Sequence, residues 1–274
     1  MIDKNERPLG RVKLSERLTV IAGMCGEKIR TLADVGCDHG WLGISLLLEE
    51  RVTHVIGMDL REGPLSRARE NAAASGLSTE RFETRLSDGL DALSPGEADV
   101  IVMAGIGGVL MCRLLTRGIE VAKKASRLVL SPQSHIESVR ELLAAEGFSV
   151  TDENMCRESG KYYTVMSVHH RSLDDAREET CAAGNGEETC AAGNGEAGKA
   201  DPYAYTLSDE ELFFGPVLIK KGEPLFKEYV HAMGNKAKKR LSEINRKNRE
   251  EGEDPAEHFE KLLASAKKIL GNET

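Results

Sequence analysis

A chain of 274 residues, 40% of them apolar, is long enough for one full α/β domain with an appendage and a proper core. Its formal net charge of −8 argues against a surface coated throughout with nucleic acid, although a local basic face remains open. The polar start MIDKNERPLGRVKL lacks the apolar centre of a signal peptide, and nowhere do about 20 apolar residues run together to cross a bilayer. Cys25, Cys37, Cys112, Cys156, Cys181 and Cys190 form no CxxC pair and no zinc spacing. A soluble, cytoplasmic protein with reduced thiols and no metal is expected.

Residues 11–30 read as an amphipathic helix carrying Val12, Leu14, Leu18, Ile21 and Met24 on its apolar side. From 31 to about 170, β-type runs alternate with helical ones. Strands are expected at TLADV (31–35), THVIGM (53–58), RFETRL (81–86), DVIVMA (99–104) and RLVLSP (127–132). Helices are expected at roughly 41–50, 64–75, 107–118 and 135–146. Runs apolar on both faces, separated by helices, imply a parallel sheet covered on each side. After Gly147 the pattern changes. FSVTDENMC (148–156) and YYTVMSVHH (162–170) follow one another with no helix between, which is the grammar of an antiparallel hairpin.

Residues 171–200 carry EETCAAGNG twice, at 178–186 and 187–195, and read as a low-complexity insertion with little to bury. Beyond it, Phe226, Val230, Met233, Ala237, Leu241 and Ile244 mark one helical seam. Phe259, Leu262, Leu263, Ala266, Ile269 and Leu270 mark a second, and GEDP (252–255) separates the two. The expected result is an antiparallel, coiled-coil-like hairpin standing partly off the sheet. Three units follow: 1–170, 171–200 and 201–274. Between Lys220 and Arg249 there are ten Lys/Arg and three Glu, a local charge of +7.

In an open parallel sheet, ligands bind beyond the carboxyl ends of the strands where strand order reverses. Four successive strand ends carry suitable residues: DVGCDHG (34–40), Asp59, SDGL (87–90) and AGIGG (104–108). Gly36 and Gly40 would admit a ligand close to the backbone. Asp59, 23 positions after Gly36, is placed to accept from a ribose diol. Asp88 beside Gly89 can accept from an adenine amino group. A pyrophosphate needs bare N–H groups, and a carboxylate at Asp38 would repel it. The same carboxylate suits a ligand with an ammonium and a sulfonium. Each residue also has a plain structural reading: Asp88 as a helix cap, His39 as a hydrogen-bonded structural residue, Trp41 as packing, Cys37 as a small buried thiol.

The series LSERL (14–18), ADVGCDHGWL (33–42), DLREGPL (59–65), SDGL, AGIGG and LSPQ (130–133) resembles the bacterial tRNA (adenine(22)-N1)-methyltransferases, and KYYTV (161–165) and FGPVLIKKGEPLF (214–226) continue the likeness. The resemblance implies a Rossmann-like class I methyltransferase sheet with S-adenosyl-L-methionine as donor. It also implies a C-terminal helical appendage that engages tRNA. Carried onto this chain, it puts cofactor contacts at Gly36, Cys37, Asp38, His39, Gly40, Asp59, Leu60, Asp88, Gly89, Ala104 and Gly105. Asp38, Arg17 and Gln133 become candidates for positioning cofactor or base, with Arg17 facing a phosphate or simply lying on the helix surface. Lys236, Lys238, Lys239 and Arg240 are the candidate RNA contacts, against the alternative of a solvated helix face. The chain departs from the family in its tandem insertion, in Cys37 where small residues are common, and in Gly43 where proline is frequent. A monomer or weak homodimer is expected. A small-molecule methyltransferase and a non-catalytic RNA-binding module remain alternatives. A nicotinamide-dependent oxidoreductase is disfavoured by the lack of G-x-G-x-x-G.

Overall fold

The five expected strands run parallel along one side of a seven-stranded sheet, from its β3 edge inward to β5. They are β1 (Ile29–Val35), β2 (Val52–Asp59), β3 (Phe82–Leu86), β4 (Val100–Ala104) and β5 (Arg127–Ser131). A hairpin of β6 (Phe148–Glu158) and β7 (Lys161–His170) completes the order β3-β2-β1-β4-β5-β7-β6. β7 pairs antiparallel with β5, and β6 antiparallel with β7. This computed structural model describes residues 12–171, 204–244 and 255–271. The expectations for residues 1–11, for the EETCAAGNG repeat with Cys181 and Cys190, for Arg246, Lys247 and Arg249, and for residues 252–254 of the GEDP break lie outside that set.

Chain order moves outward from β1 to β3 and then crosses back to β4, so strand order reverses between β1 and β4. Both faces of β1 are buried, since Leu32 and Ala33 on opposite faces are each fully covered. One apolar cluster joins the sheet to α1 (Glu16–Cys25), α2 (Trp41–Leu48) and α3 (Glu62–Ala74). The other joins it to α4 (Gly108–Arg117), α5 (Ile119–Lys124) and α6 (Ile136–Ala145). Helix α1 is shorter than the expected 11–30: Ser15 accepts from the Leu18 amide as its N-cap, and Gly26 at φ 93° ends it. Helix α5 was not expected as a separate element. Gly118 is the junction between α4 and α5, and it must be glycine because a Cβ there would meet Leu90 at 2.6 Å.

The C-terminal region holds four helices among the described residues, two more than the seams suggested. These are α7 (Asp209–Phe214), α8 (Pro216–Lys221), α9 (Pro224–Ile244) and α10 (Pro255–Ile269). Ser208 and Glu211 form a reciprocal capping box at the start of α7, and Pro216 sits in the first turn of α8, where its missing N–H costs nothing. Helices α9 and α10 pack along the expected seams, with Gly234 of α9 facing Ala266 and Leu263 of α10. Their core also takes in Phe214 and Leu218 and rests on Met155 and Tyr162 of the β6–β7 hairpin. The base of the helical pair is therefore docked on the sheet edge.

A buried ion pair fastens that dock. Arg140 of α6 and Glu153 of β6 are 1% and 0% exposed, and Arg140 Nη2 lies 2.8 Å from Glu153 Oε1. Arg140 Nη1 donates to the Leu212 carbonyl at 2.7 Å, while Glu153 Oε2 accepts from the Val217 and Leu218 amides at 3.0 and 3.2 Å. Gly215 lies so close that a Cβ there would meet the Glu153 carboxylate at 2.3 Å. Lys221, counted above in the basic segment, is held by Asp152, Asn154 and the Glu153 carbonyl. It is a structural cation. Among the described residues no helix is long and apolar enough to cross a membrane.

Candidate cofactor and acceptor site

The loop after β1 closes on itself. The Gly36 and Cys37 amides both donate to the Met58 carbonyl, at 2.8 and 3.0 Å, and the Gly40 amide donates to the Cys37 carbonyl at 2.7 Å. Amides committed in this way cannot cradle a pyrophosphate, which needs free N–H groups. Asp38 takes a left-handed backbone (φ 49°) that non-glycine residues rarely adopt. Its side chain is 63% exposed at the tip of the turn, 3.6 Å from the His39 imidazole. The α3 residue Asn71 donates to the His39 carbonyl at 2.9 Å and ties the turn in place.

The two glycines expected to admit a ligand part company here. Gly36 has φ 78° and open space where a Cβ would stand. At Gly40 a Cβ would meet Phe82 at 2.7 Å and Ala68 at 3.1 Å, so its missing side chain serves packing under the loop. Cys37 is buried, its thiol pushed above the ordinary range by desolvation and then by the carboxylates of Asp34, Asp59 and Asp38. Its contribution to a ligand would come from the backbone. Trp41, expected to pack, is 38% exposed and lines a shallow groove with Val12, Leu14 and Leu18.

At the end of β2, Asp59 has a mostly covered side chain whose Oδ1 accepts from the Arg61 amide at 2.9 Å. This orients the carboxylate beside the β1 loop. Leu60 and Leu86 are large apolar side chains left 64% and 60% exposed at adjacent strand ends, offering a surface for an aromatic ring. Leu86 carried no signal of this in the sequence. Asp88 caps no helix; Arg117 Nη1 holds its Oδ2 at 2.8 Å and keeps the carboxyl below its usual range. Arg117 also contacts the Asp88 carbonyl and Asp91. Gly89, at φ 66°, is packed against Leu114. A group with a cationic methionine end, a ribose diol and an adenine ring fits these residues.

On the acceptor side, α1 brings Arg17 over the end of β4. Its guanidinium stacks on the Tyr163 ring at 5.2 Å. Nη1 stands 3.4 Å from where a Gly105 Cβ would be, and Gln133 Nε2 stands 3.9 Å from the same point. Arg17 Nε and Nη1 are buried with no hydrogen-bond partner among the described residues. Burying such donors unpaired is costly, and a hydrogen-bond acceptor reaching them would relieve that cost. Arg17, Gln133, Ala104 and Gly105 are thus brought together, with Tyr163 as an unanticipated member. Asp38 belongs to the separate β1 loop.

The floor of the acceptor side is tight. A Cβ at Gly108 would meet the Ser134 and His135 carbonyls at 2.3 and 2.4 Å, and His135 itself takes a left-handed backbone (φ 49°) ahead of α6. Beyond it, a cleft of about 980 Å³ separates the β5–α6 loop and β7 from the helical pair. Lys236 and Arg240 line this cleft, four residues apart on one face of α9. Lys238 and Lys239 are exposed but are not among its lining residues. The four candidate RNA contacts therefore divide into two pairs.

A methyltransferase-domain family matches residues 14–166 of this chain. A Bacillus subtilis tRNA (adenine(22)-N(1))-methyltransferase is 33% identical over 168 residues, covering 61% of this chain and 70% of that protein. A Mycoplasma pneumoniae protein assigned as a tRNA methyltransferase is 30% identical over 160 residues, covering 57% and 71%. Among solved structures, a Streptococcus pneumoniae protein assigned as a tRNA (m1A22) methyltransferase, crystallised with S-adenosyl-L-methionine, matches with a TM-score of 0.72 and 26% identity. That alignment covers 94% of this chain and all of the other.

Proposed function

This chain belongs to the bacterial tRNA (adenine(22)-N(1))-methyltransferase family, and we propose that it transfers a methyl group from S-adenosyl-L-methionine to N1 of that adenine in tRNA. The observation that carries the reading is the pairing of two half-sites at the switch point. One is a β1 loop with an exposed carboxylate and committed amides. The other is a glycine-floored acceptor side holding the orphaned donors of Arg17.

S-adenosyl-L-methionine supplies a methyl group made electrophilic by its sulfonium. Asp38 offers negative charge to the cationic methionine portion, and the free Asp59 oxygen accepts from the ribose hydroxyls. Leu60 and Leu86 face the adenine ring, and Asp88 with the Gly89 backbone meets its polar edge. Gln133 donates to or accepts from the target base, while Arg17 receives a phosphate oxygen of the incoming nucleotide. Adenine N1 presents a lone pair, so no residue has to remove a proton before attack. The N1–C bond forms as the C–S bond breaks, the product ring carries the positive charge, and the N6 proton leaves later to solvent. Alignment and exclusion of water therefore carry most of the rate.

Residues 1–170 form the catalytic unit and residues 201–274 the RNA-directed one, joined by the 171–200 insertion, acting as a monomer or weak homodimer in the cytoplasm. Lys236, Lys238, Lys239 and Arg240 contact phosphates without reading sequence. The test is incubation of the protein with bulk tRNA and radiolabelled methyl donor, followed by nucleoside analysis. Label in 1-methyladenosine supports the assignment. Label confined to a small molecule, or to another nucleoside, removes it.

A further inference from the structure

The cleft between the sheet and the helical pair is polarised in a way the methyl-transfer site does not require. Its floor is aromatic and apolar, with Tyr162, Phe213, Phe259 and Met233 among the lining residues. Tyr162 is braced by Arg157, whose guanidinium lies 5.4 Å from its ring centre, and by Tyr229 at 5.5 Å. Phe213 and Phe259 are both held edge-on to His258, at 5.3 and 5.2 Å. The α9 side carries the cations Lys236 and Arg240, and Lys161 stands at the start of β7. The α6 wall carries two carboxylates, Glu137 and Glu141. Gln133 lines this cleft and also faces Gly105 and Arg17, so the cleft opens directly onto the acceptor side.

On the premise of the reaction proposed above, we infer that this cleft holds a second nucleotide of the tRNA, unstacked and close to the target adenine. A nucleotide is the ligand class that uses all three surfaces at once. Its ring stacks on aromatic side chains, its phosphate meets Lys236 and Arg240, and its amino or imino donors reach Glu137 or Glu141. A membrane surface would be repelled by the two carboxylates, and the continuity of the cleft with the methyl-acceptor side favours a nucleotide over a protein segment. A volume of about 980 Å³ lies at the upper end of the range for small-ligand pockets, enough for a base with its ribose and flanking phosphate. The second nucleotide would hold the strand open beside the target, so that unstacking the adenine is shared between two pockets.

The experiment uses the full chain and tRNA transcripts bearing a single abasic site at each nucleotide flanking the target adenine. Phe259→Leu keeps an apolar side chain against the helical core and removes the stacking face, and Ser138→Trp fills the cleft from α6. Loss of one base stack weakens binding by roughly 5- to 150-fold. The expected result is a loss of tRNA affinity of that size in both variants, with S-adenosyl-L-methionine affinity unchanged. One abasic position should cost the unmodified protein the same factor and cost Phe259→Leu nothing further. If the unmodified protein makes 1-methyladenosine but neither variant weakens tRNA binding, or if no abasic position shows that non-additivity, the second-nucleotide site is wrong and the reaction stands. If the unmodified protein makes no 1-methyladenosine, the reaction itself is wrong.

Discussion

Replacing Glu153 with Gln tests how the helical pair is held on the sheet. Glu153 is 0% exposed and accepts four hydrogen bonds, two from Arg140 at 3.1 and 2.8 Å and two from the Val217 and Leu218 amides at 3.0 and 3.2 Å. An amide of the same shape can serve one side as an acceptor but must turn its NH2 toward the other. Either Arg140, itself 1% exposed, loses its counter-charge, or two buried backbone donors lose their acceptor. Breaking one partner out of a buried pair costs ~3–5 kcal/mol. That is a large share of a typical domain stability of about 5–15 kcal/mol. With a urea slope of about 3 kcal/mol per molar, the unfolding midpoint of Glu153→Gln should fall by roughly 1–1.7 M. The protein has a single tryptophan, Trp41, beside the cofactor loop, so its fluorescence follows the sheet while far-UV circular dichroism follows all helices. The dichroism transition should move first. The pair Arg140→Met with Glu153→Leu should recover only the part of the loss that comes from a charge left buried alone, since the Val217 and Leu218 amides still lack their acceptor. A shift below about 0.3 M in both signals would mean that the pair does not fasten the dock, and the reasoning would fail.

Gly40→Ala and Gly36→Ala should separate packing from ligand approach. The first places a Cβ 2.7 Å from Phe82 at φ 72° and should cost about 1–3 kcal/mol of stability; the second, at φ 78° but in open space, carries the backbone strain without the clash, so it should lower the melting temperature less than the first while weakening S-adenosyl-L-methionine binding in calorimetry more. Burial pushes the Asp34 carboxyl from 3.8 up to about 7, so between those values the folded state holds a proton that the unfolded chain has released. Stability should therefore decline as pH rises through that window, and Asp34→Asn should flatten the decline in denaturant midpoints measured from pH 5 to 8. Charge reversal of Lys236 and Arg240 should weaken tRNA binding and reduce its salt dependence by about two phosphate contacts, whereas reversing Lys238 and Lys239 tests the face away from the cleft. Equal losses from the two pairs would contradict the division of α9 into a cleft side and an outer side.

Much of the sheet could be read from the chain because a parallel strand buried on both faces leaves an unbroken apolar run. TLADV, THVIGM and DVIVMA have no other economical fate, and their ends place Asp59 and the glycine loops together. What stayed hidden depends on residues distant in sequence. Arg140 and Glu153 look like ordinary surface charges until β6 and α6 bring them face to face. The helix-cap alternative for Asp88 stays open in the sequence because nothing nearby announces Arg117, 29 positions later. Gly40 reads as a ligand glycine because Phe82, on another strand, is what fills its space. Helices α7 and α8 were missed because six residues each are too few for a periodic pattern, though Ser208 with Glu211 and the Gly215-Pro216 step were local signals. The two long seams of α9 and α10 were legible for the opposite reason, yet they do not reveal that Tyr162 and Met155 form their floor.

The central claim is that the nucleophile is N1 of one adenine in tRNA. The most direct measurement is methyl incorporation, followed by primer extension, on a transcript and on the same transcript with 1-deazaadenosine at that single position. A methyl-dependent stop at that adenine in the first transcript, and none in the second, is the expected result. Equal incorporation into both transcripts would show that another atom accepts the methyl group.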